Sequence, residues 1–384
     1  MIDSRLTAAL PIDEVLPALR QALASSVSVV LQAPPGAGKT TRVPLALLNA
    51  GWLGGQRIIM LEPRRIAARA AARRMASTLG EPVGRRVGFR VRGESRVSDA
   101  TRIEVVTEGV LSRMLLDDAA LEGVGLVVFD EFHERSVQAD LGLALALQSQ
   151  ELVRLDLRLL VMSATLDGAA IASLLGNAPI ITSGGRQHPV ALEYVARRDD
   201  VRIEGAAAAV VRRALEEQVG SVLVFLPGAA EIRRTHALLG DAALPPGTRL
   251  LPLYGDLAAE VQDEAIAPPR AGERKVVLAT SIAETSLTIE GVRVVVDSGL
   301  ARVPRFSPRT GMSRLETVRV SRASAEQRAG RAGRTVPGLC FRLWAEAEQG
   351  HLLSRTTPEM LEADLVPLAL DLAAAGISNV NMLR

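Results

Sequence analysis

The sequence predicts an α/β protein of two successive domains with mainly parallel sheets, the second carrying a β-hairpin. Three observations carry this. A glycine-rich turn at residues 32–41 stands between an apolar run and a helical pattern. Strand-like runs then alternate with helical stretches on both sides of Ser183-Gly184-Gly185-Arg186-Gln187-His188-Pro189, a Gly/Pro-bearing linker. Further on, Pro308-Arg309-Thr310-Gly311 is a turn signal joining two extended runs, 302–307 and 312–320.

Composition sets the limits. A chain of 384 residues can bury two cores, and an apolar fraction of 48% is globular. Aromatics make up only 3%, so those cores must be Leu, Val, Ala and Ile. A formal charge of +2 does not announce nucleic acid, and any basic surface must be local. The single cysteine, Cys340, excludes an internal disulfide framework and fits a reducing compartment. No signal peptide and no apolar run of membrane-spanning length are visible, which predicts a cytoplasmic protein without a membrane partner.

The opening turn reads Gln32-Ala33-Pro34-Pro35-Gly36-Ala37-Gly38-Lys39-Thr40-Thr41 after the β-branched run Val27-Ser28-Val29-Val30-Leu31. Strand, Gly-rich turn, Lys-Thr and helix are the parts of a phosphate-binding loop. Backbone N–H groups and the helix N-terminus surround phosphates, Lys39 reaches the β/γ-phosphates and the Thr40 hydroxyl ligates Mg²⁺. The usual first glycine is Ala33 here. Only Lys39 and Lys275 are lysines; every other Lys/Arg position is Arg. A compact ammonium kept at this place suits a phosphate. The bland alternative is an ordinary strand-to-helix turn.

Before the loop, residues 12–23 carry apolar residues at helical spacing, for packing or for holding a base. After it, a strand at 56–61 ends in Glu62-Pro63-Arg64-Arg65 and an Ala/Arg-rich helix. Paired guanidiniums at a helix start suit the phosphates of a bound strand, although an Arg-rich helix face can simply be solvated. The strand at 103–106 delivers Thr107-Glu108-Gly109, at the strand end where parallel sheets place ligands. The apolar run 125–129 ends in Asp130-Glu131-Phe132-His133. Beside a phosphate loop, Asp130 is the expected Mg²⁺ partner and Glu131 can orient or deprotonate water. Residues 158–162 form another strand before Ser163-Ala164-Thr165, hydroxyls that can link those carboxylates to the cleft or merely cap a helix.

Strands at 190–195, 221–226, 250–253 and 275–279 alternate with helices at 201–218 and 230–239. This half has no second phosphate loop, so it serves the nucleotide of the first. After a strand at 294–297, the hairpin carries Arg302, Arg305, Arg309 and Arg314. In Gln327-Arg328-Ala329-Gly330-Arg331-Ala332-Gly333-Arg334, three arginines at three-residue intervals can share one helix face, with small residues between them that let another surface approach. Such a run binds polyanions, or supplies arginine fingers to a γ-phosphate.

Taken in order, the segments at 33–40, 63–65, 107–109, 130–133, 163–165, 224–228, 280–289 and 327–334 resemble the superfamily 2 helicases, and within them the DEAH/RHA family. Asp-Glu-Phe-His and Pro252-Leu253-Tyr254-Gly255-Asp256-Leu257 look most like a bacterial branch. The resemblance implies two RecA-like domains, 1–185 and 186–350, closing on ATP and Mg²⁺, with residues 351–384 leading towards a winged helix. It places Gly36, Gly38, Lys39, Thr40, Thr41 and Arg74 at the nucleotide. Thr40, Asp130 and Glu131 go to the metal, Glu131 and Gln327 to the lytic water, and Arg331 and Arg334 become the fingers. Arg64, Arg65, Thr107, Gly109, Thr280 and Arg305 would meet nucleic acid, while Ser163 and Thr165 couple the two sites. Two departures stand out: Ile266 where the family stacks an aromatic on adenine, and Ser281 where many relatives have Asn.

The expected activity is an ATP-dependent RNA helicase moving 3′ to 5′, acting as a monomer. Its partner would be single-stranded RNA or an RNA duplex with a single-stranded tail, with DNA as a further candidate. An RNA-stimulated ATPase or clamp without processive unwinding is the alternative, because the chain looks like a motor core that stops before the family's C-terminal modules. A protein-translocating motor would need a large insertion between the motifs that this sequence lacks.

Overall fold

The computed structural model describes residues 9–164, 168–185, 188–198, 200–334 and 336–377. Its chain divides into one unit of Met1–Arg186 with Pro358–Arg384, and another of Gln187–Thr357. The first unit is built on strands β1 (Ser28–Gln32), β2 (Arg57–Glu62), β3 (Val87–Val91), β4 (Glu94–Arg96), β5 (Ile103–Thr107), β6 (Val124–Phe129), β7 (Arg158–Ser163) and β8 (Ile180–Thr182). Its helices are α1 (Leu16–Ser25), α2 (Lys39–Leu47), α3 (Arg65–Thr78), α4 (Glu108–Asp117), α5 (Val137–Leu152) and α6 (Gly168–Leu174). The sheet runs β4–β3–β5–β2–β6–β7–β1–β8, parallel except for β4.

Every residue of β6 is buried, as are all but the first of β2 and β7. A parallel strand covered on both faces needs no polar side, which is why these strands read as unbroken apolar runs. Alternate side chains still divide between two cores. Met60, Val128 and Met162 pack with Leu19, Val43 and Ala72 of α1, α2 and α3. Leu61, Val127 and Val161 pack with Leu111, Leu115 and Ala146 of α4 and α5.

The second unit has β9 (Val190–Tyr194), β10 (Ser221–Phe225), β11 (Thr248–Leu253), β12 (Arg274–Ala279), β13 (Val292–Asp297) and β16 (Gly338–Arg342) in one sheet. Its order is β11–β12–β10–β13–β16–β9, with every pairing parallel. Helices α7 (Ile203–Glu217), α8 (Ala229–Gly240), α9 (Ala259–Ile266) and α10 (Arg322–Ala329) connect these strands. The hairpin forms a separate two-stranded sheet, β14 (Leu300–Ser307) with β15 (Met312–Arg319), paired from Leu300↔Arg319 to Ser307↔Met312. Gly311, at φ +64°, closes its turn by donating its N–H to the Ser307 carbonyl, 2.9 Å away. The chain then returns to the first unit, where α11 (Val366–Ala374) buries Leu372 in the core beside α4 and α5.

The α/β class, the parallel sheets and the hairpin are as the sequence predicts. One local expectation is corrected. Helix α10 ends at Ala329, so Arg331 and Arg334 lie in the turn beyond it and do not share a helix face with Arg328. Small residues do admit another surface there, but that surface is the chain itself. A Cβ on Gly333 would stand 2.5 Å from the His188 carbonyl oxygen.

Candidate nucleotide and nucleic-acid sites

The parallel strands of the first sheet deliver their C-terminal ends to one rim. The loop after β1 contains Gly36 at φ +82° and Gly38 at φ +97°, left-handed conformations that favour glycine. Gly38 has a second constraint, since a Cβ there would stand 2.6 Å from Leu10 Cδ1. The segment before α1 therefore packs against the loop, and the Ile12 N–H donates to the Ala37 carbonyl at 3.2 Å. Ile12, Leu19 and Leu23 are buried in the core, which is the packing role read for residues 12–23. Lys39 is buried, and its Nζ donates to the carbonyl of Ala33, the residue in place of the usual glycine, at 2.8 Å. Thr41 follows in the first turn of α2.

Thr40 Oγ1 donates to Asp130 Oδ2 at 2.5 Å, so the loop and the end of β6 meet through two hard oxygen donors. That donor set fits Mg²⁺. Glu131 turns elsewhere: its Oε2 is 3.5 Å from His133 Nδ1, which accepts the Ala164 N–H at 3.4 Å. Glu131 and Arg135 have φ of +49° and +53°, so both ends of the turn Phe132–Glu134 sit in left-handed backbone that side chains disfavour. Burial, then the neighbouring Glu131, raises the Asp130 carboxyl to about 6, against the lowering effect of Lys39 and Thr40.

Glu62, at the end of β2, is fully buried beside these acids. Burial first, then Asp130 and Glu131, pushes its carboxyl well above the usual carboxylate range. A side-chain hydrogen bond with Asp130 adds to the rise. In its protonated form Glu62 would be the donor of that bond and Asp130 the acceptor.

Strands β2 and β5 are neighbours, with Glu62 opposite Thr107. Arg64 and Thr107 are therefore adjacent helix N-caps, of α3 and α4. Arg65 is exposed, and a Cβ on Gly109 would meet open space. Arg64 is engaged within the protein, donating both Nη groups to the two Glu134 oxygens at 3.0 and 2.8 Å. Arg74 is exposed on α3. Ser163 is buried, with its carbonyl accepting from Ala33 N at 3.1 Å, and Thr165 lies outside the described residues.

In the second unit Thr280 caps the turn Ser281–Ala283 through its hydroxyl. Gln327 is half-buried in α10. Arg331 Nε donates to the Glu284 carbonyl at 2.9 Å and its Nη1 to the Leu287 carbonyl. Arg334 Nη1 donates to Leu287 O at 3.2 Å and to Thr288 Oγ1 at 2.8 Å. On the hairpin, Arg302 pairs with Glu231 of α8 at 3.2 Å, while Arg305 and Arg314 share Glu316 at 3.4 and 2.7 Å. Ile266 ends α9, where Lys275 Nζ donates to the carbonyls of Glu264, Ala265 and Ala267 at 2.8, 2.8 and 2.5 Å. Ser281 begins the turn that Thr280 caps.

Sequence reasoning missed Glu62, Glu134, Glu284 and Asp297, whose partners lie far along the chain, and it read Arg328 with Arg331 and Arg334 where the structure pairs it with Glu284 and Asp297.

Two sequence profiles match the chain, one described as "DEAD/DEAH box helicase" over residues 14–174 and the other as "Helicase conserved C-terminal domain" over 206–336. The chain belongs to the DEAD/DEAH-box helicase family. It is 49% identical over 370 residues to the "ATP-dependent RNA helicase HrpB" of Escherichia coli, covering 96% of this chain and 46% of that protein. The pre-mRNA-splicing factor ATP-dependent RNA helicase prp22 of Schizosaccharomyces pombe is 37% identical, over 97% of this chain and 32% of its own. The crystal structure of Escherichia coli DEAH/RHA helicase HrpB superposes with a TM-score of 0.92 at 48% identity, covering 97% of this chain and 48% of that one. Two RecA-like helicase domains of the DEAH/RHA type thus follow one another here, and the chain spans about half the length of HrpB. Among the described residues no helix is long and apolar enough to cross a membrane.

Proposed function

We propose that this chain is the motor of an ATP-dependent RNA helicase. It hydrolyses ATP and couples hydrolysis to 3′-to-5′ movement along single-stranded RNA and to the opening of a duplex with a single-stranded tail. The 2.5 Å contact between Thr40 and Asp130 carries the reading, because it joins a phosphate loop to a strand-end acid as nucleotide hydrolysis requires. The names of HrpB and prp22 supply the RNA.

In this reading residues 1–185 bind the nucleotide, 186–350 form the second helicase domain and 351–384 lead towards a winged helix. Gly36, Gly38, Lys39, Thr40 and Thr41 cradle the phosphates, and Arg74 stacks on the base. Thr40, Asp130 and Glu131 would hold Mg²⁺, which when bound neutralises charge on the phosphates. Glu131 and Gln327 orient the attacking water, and Arg331 and Arg334 stabilise the transferred phosphoryl group. Arg64, Arg65, Thr107, Gly109, Thr280 and Arg305 contact the nucleic-acid backbone, and Ser163 and Thr165 couple the two events. The chain works as a monomer in the cytoplasm, with DNA as a second track.

A clamp that hydrolyses ATP on RNA without processive unwinding is the second reading. It is favoured by the ion pairs that Arg302, Arg305 and Arg314 make with Glu231 and Glu316, which draw hairpin charge away from a parting strand. Turnover measured side by side with RNA, DNA and unfolded peptide tests the assignment. Stimulation by RNA is expected, and stimulation by peptide alone would overturn it.

A further inference from the structure

Arg331 and Arg334 face a positional problem. Helix α10 stops at Ala329, so these arginines lie in a turn that the helix does not hold. An arginine finger must nevertheless be placed closely, because stabilisation of a transferring phosphoryl group depends on geometry fixed beforehand.

Arg328 answers this problem. Its side chain is 1% exposed, a rare state for a guanidinium. Nε donates to Glu284 Oε2 at 2.9 Å, while Nη1 donates to Asp297 Oδ1 at 2.9 Å and to the Leu300 carbonyl at 3.1 Å. The guanidinium lies over the Phe225 ring, 4.9 Å from its centroid. One side chain thus ties α10 to the loop after β12, to the end of β13 and to the root of the hairpin. The finger turn hangs from the same residues. The Arg331 N–H donates to the Arg328 carbonyl at 3.1 Å, and Arg331 Nε donates to the carbonyl of Glu284, whose carboxylate holds Arg328. A buried charge network of this kind is weak evidence for stability, since well-packed apolar residues often do as well, so its presence calls for another role.

We infer that Arg328, with Glu284 and Asp297, forms a positioning triad that sets the finger-bearing turn against the loop 280–288. Arg328 itself touches no substrate. Lysine cannot replace it, because a single ammonium does not reproduce the planar fork that spans two carboxylates. The inference rests on the finger assignment proposed above, and the test separates the two.

Arg328→Lys, Glu284→Gln and Arg331→Ala are compared in the full chain for kcat, KM for ATP, RNA half-saturation and thermal midpoint. Glu284→Gln keeps a neutral acceptor for Arg328 and covers the case in which Arg328→Lys fails to fold. Loss of a positioning contact lowers kcat and leaves ground-state binding alone. The expected result is a fall in kcat of at least tenfold in Glu284→Gln and in folded Arg328→Lys. KM and RNA half-saturation stay within threefold, and the Glu284→Gln midpoint stays near the parent's. If Arg331→Ala loses turnover while both triad variants keep it, the positioning role is refuted and the fingers stand. If Arg331→Ala retains parental turnover, the finger assignment fails and the inference with it. A lowered midpoint with parental kcat per folded molecule reduces the triad to scaffolding.

Discussion

Replacing Glu108 by Gln should make the first unit more stable at alkaline pH and leave it unchanged at acid pH. Glu108 opens α4, and the Ser136 hydroxyl donates to its Oε1 at 2.7 Å. Burial raises its carboxyl to about 7, with Glu134 and Glu359 adding to the rise and Ser136 and Arg64 opposing it. Below about 4.5 both folded and unfolded chains hold the proton and no difference arises. Between there and pH 7 the unfolded chain gives it up while the native one keeps it, so stability falls as pH rises through this window. A shift of this size corresponds to at most ~3 kcal/mol, and partial solvent access reduces it to roughly 1–2 kcal/mol. Gln keeps an oxygen for Ser136 without the titration. The assay is urea unfolding between pH 5 and 8 in a Trp344→Phe background, which leaves Trp52 in the first unit as the reporter. The stability difference between variant and parent should grow with pH. A difference that stays constant from pH 5 to 8 would refute the assignment.

Three further outcomes are expected. Lys39→Ala should fold normally and lose about 10²–10³ in kcat, as expected when one preorganised charge on the phosphates is removed; parental turnover would remove the phosphate-loop assignment. Hydrolysis of ATP, GTP, CTP and UTP should differ by less than about tenfold, because Ile266 offers no π-face to a base, and a larger preference for ATP argues against this. Exchanging residues 308–312 for a short Gly-Ser turn should leave RNA-stimulated hydrolysis largely intact and impair strand separation relative to the parent. Equal unwinding by both would make the hairpin surface decoration.

Much of the fold was legible because parallel strands buried on both faces leave continuous apolar runs, as in β1, β2, β6 and β7. The strands that escaped notice lack that signal. β4 is Glu-Ser-Arg at the sheet edge, and β3 carries a glycine whose reason is spatial: a Cβ on Gly88 would stand 2.4 Å from the Arg96 carbonyl oxygen. β16 is a short run containing Gly and Arg, and it owes its burial to its neighbours β13 and β9. The candidate site was legible as motifs at strand ends, since local sequence fixes a phosphate loop or a strand-end acid. Ion pairing was not legible. Glu134 lies 70 residues from Arg64, and Glu284 lies 44 residues before Arg328. Spacing along a helix says nothing about such partners.

The two lysines have a practical consequence. Lys39 and Lys275 are 4% and 2% exposed, one held on the phosphate loop and the other capping the carbonyls that end α9. Apart from the amino terminus, the protein offers solvent almost no primary amine. An acylating reagent, harmless to the many guanidiniums, would find the loop ammonium only when it lifts away from Ala33. Covalent modification of Lys39, followed by mass, would then act as a clock for how often the loop opens, with little background from the rest of the surface.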